Sequence, residues 1–392
     1  MSKLVFITEA RFIKGKNGIV YGESSFNKSL WNRYLSVFSS ITVVARLRED
    51  EQYESDPNTI SSLENVNFFK LPYFVGPKEY MEKRMLVKEK LNEISVDKDA
   101  VFICRLPGTI GNLAIPILKI NKIPYGVEVV GDPWDVFSKT GVSHIFRVFF
   151  KWYYYYKLKS NVKDSIAALY VTDFQLQKRY PVGEGKFQAV ASNVEIQDED
   201  FAIEPCKLVN KDRYEILSVG SLEQMYKAPD ILVKVIDQLL KKGVNCHLTW
   251  LGEGKFLGEM RKLVRTLGIE ENVEFKGNVS MKEVREELLD TDLFVLISRT
   301  EGLPRAIIEA IATGLPCIGT RVGGIPELLT TNALVGVDDI NEIVDRIELY
   351  LTSEKLYNSE AKRNLKHSKR YNNNRLTEQR NRFYKYLIDV KH

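Results

Sequence analysis

Short, continuous apolar runs alternate with helical segments along almost the whole chain, in two series that break near residue 200. The first series of strand candidates is Lys3 to Thr8, Ile41 to Ala45, Asn67 to Leu71, Ala100 to Cys104, Tyr125 to Val130, Ile166 to Val171 and Phe187 to Ala191. The second is Tyr214 to Val219, Asn245 to Leu251, Asn272 to Phe275, Asp292 to Ile297, Pro316 to Gly319 and Ala333 to Val337. Between them lie segments such as Pro229 to Leu240, where Ile231, Leu232, Val235, Ile236 and Leu239 recur at helical spacing. Strands that are apolar throughout are buried on both faces, and helical crossovers between them imply parallel sheets. The fold class predicted is α/β, with two doubly wound Rossmann-like parallel-sheet domains facing a cleft. Ligands of such sheets sit beyond the carboxyl ends of the strands.

The break sets the domain limits. Residues 1–195 form a first domain, and the acidic segment 196–210, with Pro205, is read as a linker. Residues 211–370 form a second domain. Residues 371–392 form a charged helix with Leu376, Phe383, Tyr384 and Leu387 on one side, which suits packing back on the first domain.

Composition excludes several classes. The 56 basic and 52 acidic residues leave a net charge of +4, without the concentrated basic footprint of a nucleic-acid binder. Cys104, Cys206, Cys246 and Cys317 are far apart and form no CxxC pair, which reads as reduced, buried thiols. The first residues are of strand length and end in an acid, unlike a signal peptide, and no apolar run reaches membrane-spanning length. The location expected is cytoplasmic, with peripheral attachment to the inner face of the membrane as an option. His144, His247, His367 and His392 are scattered, and no Asp-x-Asp pair stands at a strand end, so neither a catalytic metal nor a cofactor is expected.

Ser298 to Ala310 concentrates the chemistry. Glu301 and Glu309 lie eight positions apart, with Gly302 and Pro304 between them and the apolar run Asp292 to Ile297 just before. This predicts a buried strand, a tight loop carrying Glu301 and a helix starting near Pro304, where a missing N–H costs nothing. Glu309 then lies over a turn into the helix, which Gly314 and Pro316 stop. The free amides of the helix start form an anion site between two acids. A ligand with a diphosphate in its middle and hydroxyls at both ends fits that order.

Here the second half resembles the nucleotide-sugar-binding domain of the retaining GT-B-fold glycosyltransferases of family four (glycosyltransferase group 1). The motifs that carry the resemblance come in order. They are Val219-Gly220-Ser221-Leu222, Tyr226-Lys227-Ala228-Pro229-Asp230, Leu251-Gly252-Glu253-Gly254, Phe275-Lys276-Gly277-Asn278-Val279, the Glu301 and Glu309 pair, and Gly323-Gly324-Ile325-Pro326-Glu327. The resemblance covers about residues 211–340; the first half matches in layout only.

The resemblance implies a donor site made of Gly220, Ser221, Lys227, Gly252, Asn278, Val279, Glu301, Gly302, Leu303, Pro304, Arg305 and Glu309. Lys227 would reach the diphosphate, Glu309 the ribose hydroxyls, and Glu301 the transferred sugar. Gly302 lets the backbone approach the ligand, and Asn278 with Val279 would edge the base. For Gly323 and Gly324, plain turn chemistry and a ligand role stand side by side. The family commonly has an Arg where this chain has Ser221. One phosphate cation is therefore missing, and Arg305 or Arg299 would replace it.

In the first domain, the Gly-bearing loop from Gly15 to Gly22 lies where the family has its acceptor loop, which marks Gly18 and Tyr21 for acceptor binding. Arg105 is added after its strand. Asp132 lies where many relatives have a His-Gly-Asp-like turn facing the transferred sugar, so it joins Glu301 and Lys227 among the catalytic candidates; stabilising its own turn is the other reading. The histidine position of that turn is Val130 here.

These implications give a retaining hexosyltransferase that takes a nucleoside-diphosphate sugar and a glycan or lipid-linked acceptor, in cell-surface polysaccharide synthesis. The alternatives weighed are a sugar phosphorylase of the same fold and an inactive nucleotide-sugar-binding protein. A nicotinamide dehydrogenase lacks its G-x-G-x-x-G, because Gly15, Gly18 and Gly22 are misspaced. The aromatic-basic stretch within residues 143–163, with Arg147, Lys151, Lys157 and Lys159, suits either a membrane interface or packing on the first sheet. The basic helix candidate Lys78 to Lys90 would reinforce the former.

Overall fold

The computed structural model of the chain describes residues 2–55, 57–136 and 147–391. The chain divides into two compact units. The first comprises Met1–Gly131, Tyr153–Ala191 and Thr377–His392, and the second Asp132–Trp152 and Ser192–Leu376.

The first unit is built on β1 (Lys3–Lys14), β2 (Val20–Tyr21), β3 (Ser40–Glu49), β4 (Val66–Leu71), β5 (Ala100–Leu106), β6 (Tyr125–Val129), β7 (Ala167–Tyr170) and β8 (Phe187–Val190). The order is β4-β3-β1-β5-β6-β7-β8, with every neighbouring pair parallel. The central strands are buried along their length, because helices Gly76–Ile94 and Thr109–Ile120 and the chain's last helix cover them. That last helix, Asn373–Lys391, lays Tyr384 against Tyr34 with ring centres 5.2 Å apart. Gly126 leaves room for it, since a Cβ there would lie 2.6 Å from Leu387.

The first strand corrects the sequence expectation. β1 runs on past Thr8 to Lys14 and turns back through β2, which pairs with it antiparallel. The glycine-bearing loop placed right after the first strand is therefore a hairpin. Its polar residues hid the extension, but β3 continues beside it, pairing Arg11 with Arg46 and Lys14 with Glu49. Tyr21 is buried in the hairpin against Tyr53, with ring centres 5.5 Å apart. Gly18, in the turn, has φ +75°.

The second unit holds β9 (Tyr214–Val219), β10 (Cys246–Leu251), β11 (Val273–Gly277), β12 (Leu293–Leu296), β13 (Cys317–Thr320) and β14 (Leu334–Val335). Their order is β11-β10-β9-β12-β13-β14, and all pairs are parallel. Helix Pro229–Lys241 covers one face with Ile231, Leu232, Val235, Ile236 and Leu239, the stripe its spacing predicts.

Residues 196–210 are not a free tether. Phe201 lies under the Lys369 ammonium at 4.0 Å, and Arg285 pairs with Asp200. Asn372 donates to Asp198 at 2.6 Å, and the Asn373 amide donates to Ile196 O at 2.8 Å. These contacts place residues 192–210 and 371–376 in the second unit. Residues 132–152 also group with it, instead of with residues 1–131.

The aromatic helix occupies Arg147–Asp164, ending one residue beyond the aromatic-basic stretch read from the sequence. Leu158, Asn161 and Val162 are its buried side. The expected N-terminal part of that helix, with His144, falls outside the described residues.

Candidate functional site

The second sheet reverses its order between β9 and β12, where an open parallel sheet forms its binding crevice. β9 leads into Gly220–Lys227, and β12 leads into Ser298–Leu303. Lys227 Nζ donates a hydrogen bond to Glu301 Oε1 across this point. Only 11% of the Lys227 side chain and 9% of the Glu301 side chain remain exposed. Ser298 Oγ donates to the same carboxylate oxygen at 2.6 Å. Oε2 is left without a protein hydrogen bond among the described residues.

The local sequence makes this geometry. A Cβ at Gly220 would lie 2.8 Å from Lys227 Cγ, so glycine lets the lysine stem pass the strand end. Ala228, next to Lys227, holds a left-handed φ of 49° and starts the helix at Pro229. Such a conformation is uncommon outside glycine and concentrates at functional sites. Burial depresses the Lys227 ammonium, but Glu301 and Tyr226 outweigh it and the net shift is upward.

Gly323 and Gly324 hold the opposite wall. A Cβ at Gly323 would lie 2.0 Å from the Glu301 carbonyl oxygen, and its φ is +51°. The Gly324 amide donates to Gly302 O at 2.6 Å. The pair clamps the loop that carries Glu301, and at Gly323 this close approach, beyond ordinary turn chemistry, demands glycine.

Helix Arg305–Ala312 follows, with Pro304 as its N-cap, one place outside the first turn expected for it. No side chain caps its first amides. The helix ends before Gly314, whose φ is +76°. Glu309 is half-buried, and its carboxylate takes no protein hydrogen bond among the described residues. Burial raises its pKa, with Arg305 opposing and Asp200 adding to the rise.

The two arginine candidates differ in their contacts. Arg299 is consumed by Asp230, Asp338 and the Met225 carbonyl. Arg305 is exposed at the helix start and makes no hydrogen bond or ion pair among the described residues. Ser221 Oγ accepts from the Glu223 amide at 3.2 Å and donates to Glu253 O at 3.4 Å, so it caps a turn.

Three strand ends are tied beside it. The Gly220 amide donates to Leu251 O at 2.8 Å and the Gly252 amide to Gly277 O at 2.7 Å. Gly252, at φ +129°, could not carry a Cβ, which would meet Gly220 O at 2.2 Å. Asn278 Nδ2 donates to Glu253 Oε2 at 3.2 Å, at the exposed end of β11.

The remaining candidates are engaged locally. Asp132 is buried and its Oδ1 accepts from the Trp134 amide at 2.9 Å, capping the short helix Pro133–Val136. Arg105 faces the buried Glu128 at 3.9 Å and covers the Phe26 ring. Glu128 also accepts from Tyr34 at 2.8 Å.

Sequence reasoning missed Glu9 and Arg46. The first sheet reverses its order between β1 and β5, and Glu9 sits there, inside the register irregularity between Ile7 and Arg11. It accepts from the Ile110 amide at 2.9 Å and pairs with Arg46 at 3.0 Å. Burial raises the Glu9 pKa against the pull of Arg46 and the helix amides. The available signal was an acid directly after the first apolar run.

With this geometry in place, the comparisons decide the family. Residues 200–367 match the model of the glycosyl transferases group 1 family. That segment is a group 1 glycosyltransferase domain. The chain is 28% identical over 375 residues to Protein CapJ of Staphylococcus aureus, covering 94% of this chain and 92% of that one. It is 32% identical over 145 residues to the putative colanic acid biosynthesis glycosyltransferase WcaL of Escherichia coli, covering 35% of this chain and 36% of WcaL. Anabaena HepE, solved in complex with UDP, superposes with a TM-score of 0.68 at 13% identity, over 98% of this chain and all of HepE. The glycosyltransferase thus has the GT-B fold, with two parallel-sheet α/β domains.

Proposed function

We propose that this glycosyltransferase takes a nucleoside-diphosphate sugar as donor and transfers its sugar, with retention at the anomeric carbon, to a hydroxyl of a glycan or lipid-linked saccharide. The observation that carries this reading is the Lys227–Glu301 pair at the strand-order reversal, beside an uncapped helix start and the partner-free carboxylate of Glu309. Glu309 takes the ribose hydroxyls, as an acid does in dinucleotide folds. The helix amides, Lys227 and Arg305 take the diphosphate. Glu301 Oε2 takes a hydroxyl of the sugar. Arg305 supplies the positive charge that Ser221 does not.

No protein nucleophile is required. The bond from the anomeric carbon to the phosphate oxygen breaks, the bond to the acceptor oxygen forms on the same face, and the acceptor proton passes to the leaving phosphate. Lys227 and the helix start stabilise the charge that grows on that phosphate. No metal is needed where these groups neutralise it.

Likeness to CapJ along most of the chain, and to the WcaL glycosyltransferase, supports a place in polysaccharide assembly. A lipid-linked acceptor agrees with the exposed side chains of the aromatic helix and, separately, of helix Gly76–Ile94. Val148, Phe149, Trp152, Tyr153 and Tyr156 are exposed beside Arg147 and Lys151, and Met81 and Met85 are exposed beside Lys78, Arg84 and Lys88. Such surfaces settle in a membrane interface of anionic lipid. Among the described residues no helix is long and apolar enough to cross a membrane.

A thermal-shift screen of uridine, guanosine and adenosine diphosphates and their sugar conjugates tests the donor class. One family of nucleotides should raise the melting temperature, and the anomeric signal of the product should match that of the donor. Stabilisation by inorganic phosphate alone would favour a phosphorylase. Binding without donor consumption would favour an inactive binding protein.

A further inference from the structure

A side chain distant in sequence grips the loop that carries Lys227. Arg299 Nη1 and Nη2 donate to Asp230 Oδ1 and Oδ2 at 3.1 and 2.9 Å. Its Nε donates to Asp338 Oδ1 and Oδ2 at 2.9 and 3.1 Å. Nη1 also reaches the Met225 carbonyl at 2.7 Å, and the Arg299 amide donates to Tyr226 O at 2.7 Å. Main chain and side chain of one residue therefore grip Met225 and Tyr226, the two residues before Lys227. Only 14% of the Arg299 side chain is exposed.

One end of this grip sits on uncommon backbone and the other lies close to it. Ala228, two residues before Asp230, has φ 49°, and Asp338 has φ 58°. Non-glycine residues persist in that region where their surroundings over-determine them. Two carboxylates on one guanidinium are such a constraint, and the planar fork makes the geometry specific in a way a lysine cannot. Arg299 also lies two residues before Glu301 in the same loop.

We infer that Arg299 is a positioning residue, which fixes Lys227 relative to Glu301 so that the ammonium meets the donor diphosphate. The inference rests on the donor reading of Lys227 above and adds the device that sets it. The Arg299 guanidinium is engaged by Asp230, Asp338 and the Met225 carbonyl, so its action is indirect. Its substitution should act through Lys227 alone, leaving the nucleoside end at Glu309 in place.

The test uses the whole 392-residue chain and calorimetric titration of UDP and UMP, GDP and GMP, and ADP and AMP, keeping the pair the wild type binds. In Lys227→Met the preference for diphosphate over monophosphate should fall about ten- to hundredfold, as displacement of a placed group does. Arg299→Gln and Arg299→Lys should lose a similar share of that preference, with monophosphate affinity within about twofold of wild type, since the nucleoside end is untouched. Asp338→Asn, which weakens one arm, should give a smaller loss. In the double variant Lys227→Met/Arg299→Gln the loss should equal that of Lys227→Met alone, because both act on one contact. Additive losses, or parallel losses for both nucleotides that track the melting temperature, would make Arg299 a plain structural anchor and overturn the inference. Failure of Lys227→Met itself to change the preference, or of every pair to bind, would instead overturn the donor reading.

Discussion

Lys227 and Glu301 stand 74 positions apart in sequence and share one hydrogen-bonded ion pair at the reversal of the second sheet. Because both are nearly buried, neither tolerates loss of the other. Lys227→Met should leave Glu301 unpaired and destabilise the fold by about 3 kcal/mol, in the range of broken buried pairs. The double variant with Glu301→Gln should recover part of that stability. Activity should stay low in both, so chemical denaturation and turnover measured together separate the structural from the functional role of the pair.

Gly323→Ala adds a methyl group 2.0 Å from the Glu301 carbonyl at a φ of +51°. The loop must shift or the backbone must strain, at a cost of about 1–3 kcal/mol. Turnover should fall more than stability, because the displaced loop carries Glu301. A melting curve and a donor-consumption assay on the same preparation check this; unchanged turnover would separate the clamp from the site.

His367 gives the second unit an acid limb. Burial lowers its pKa from 6.5 to about 4, with Arg363 and Arg370 adding to the effect. The folded state thus keeps the ring neutral where the unfolded chain binds a proton. Stability is full above pH 6.5 and declines as the pH falls from 6.5 towards about 4. Urea unfolding across that window should show the decline, and His367→Gln should flatten it.

Chelation should have little effect. Among the described residues no three His, Cys, Asp or Glu side chains group as metal ligands would. Dialysis against EDTA should leave donor turnover within about twofold, since ammonium, guanidinium and helix amides supply the charge. A loss restored by a divalent cation would contradict metal-independent transfer.

The strands of both sheets were legible because a parallel sheet covered on both sides writes itself as unbroken apolar runs, as in Leu293–Leu296. The end of β1 was not. Glu9 to Lys14 mixes charged and apolar residues, and pairing of Arg11 to Lys14 with Arg46 to Glu49 carries the strand on. The loops after β9 and β12 were legible as motifs, and local chemistry placed the helix after Pro304 to within a residue. The role of Arg299 was not, because its partners Asp230 and Asp338 lie 69 and 39 positions away. Nor was the need for glycine at Gly323, which arises from a carbonyl of another loop.

The most direct measurement is calorimetric titration of the preferred nucleoside diphosphate into the wild type, Glu309→Ala and Glu301→Ala, with donor turnover measured beside it. Glu309→Ala should weaken nucleotide binding at least about tenfold, the scale of lost hydrogen bonds to a charged acceptor. Glu301→Ala should bind nearly as the wild type does and lose most of its turnover. Wild-type affinity and turnover in both variants would contradict a donor site laid out from Glu301 to Glu309.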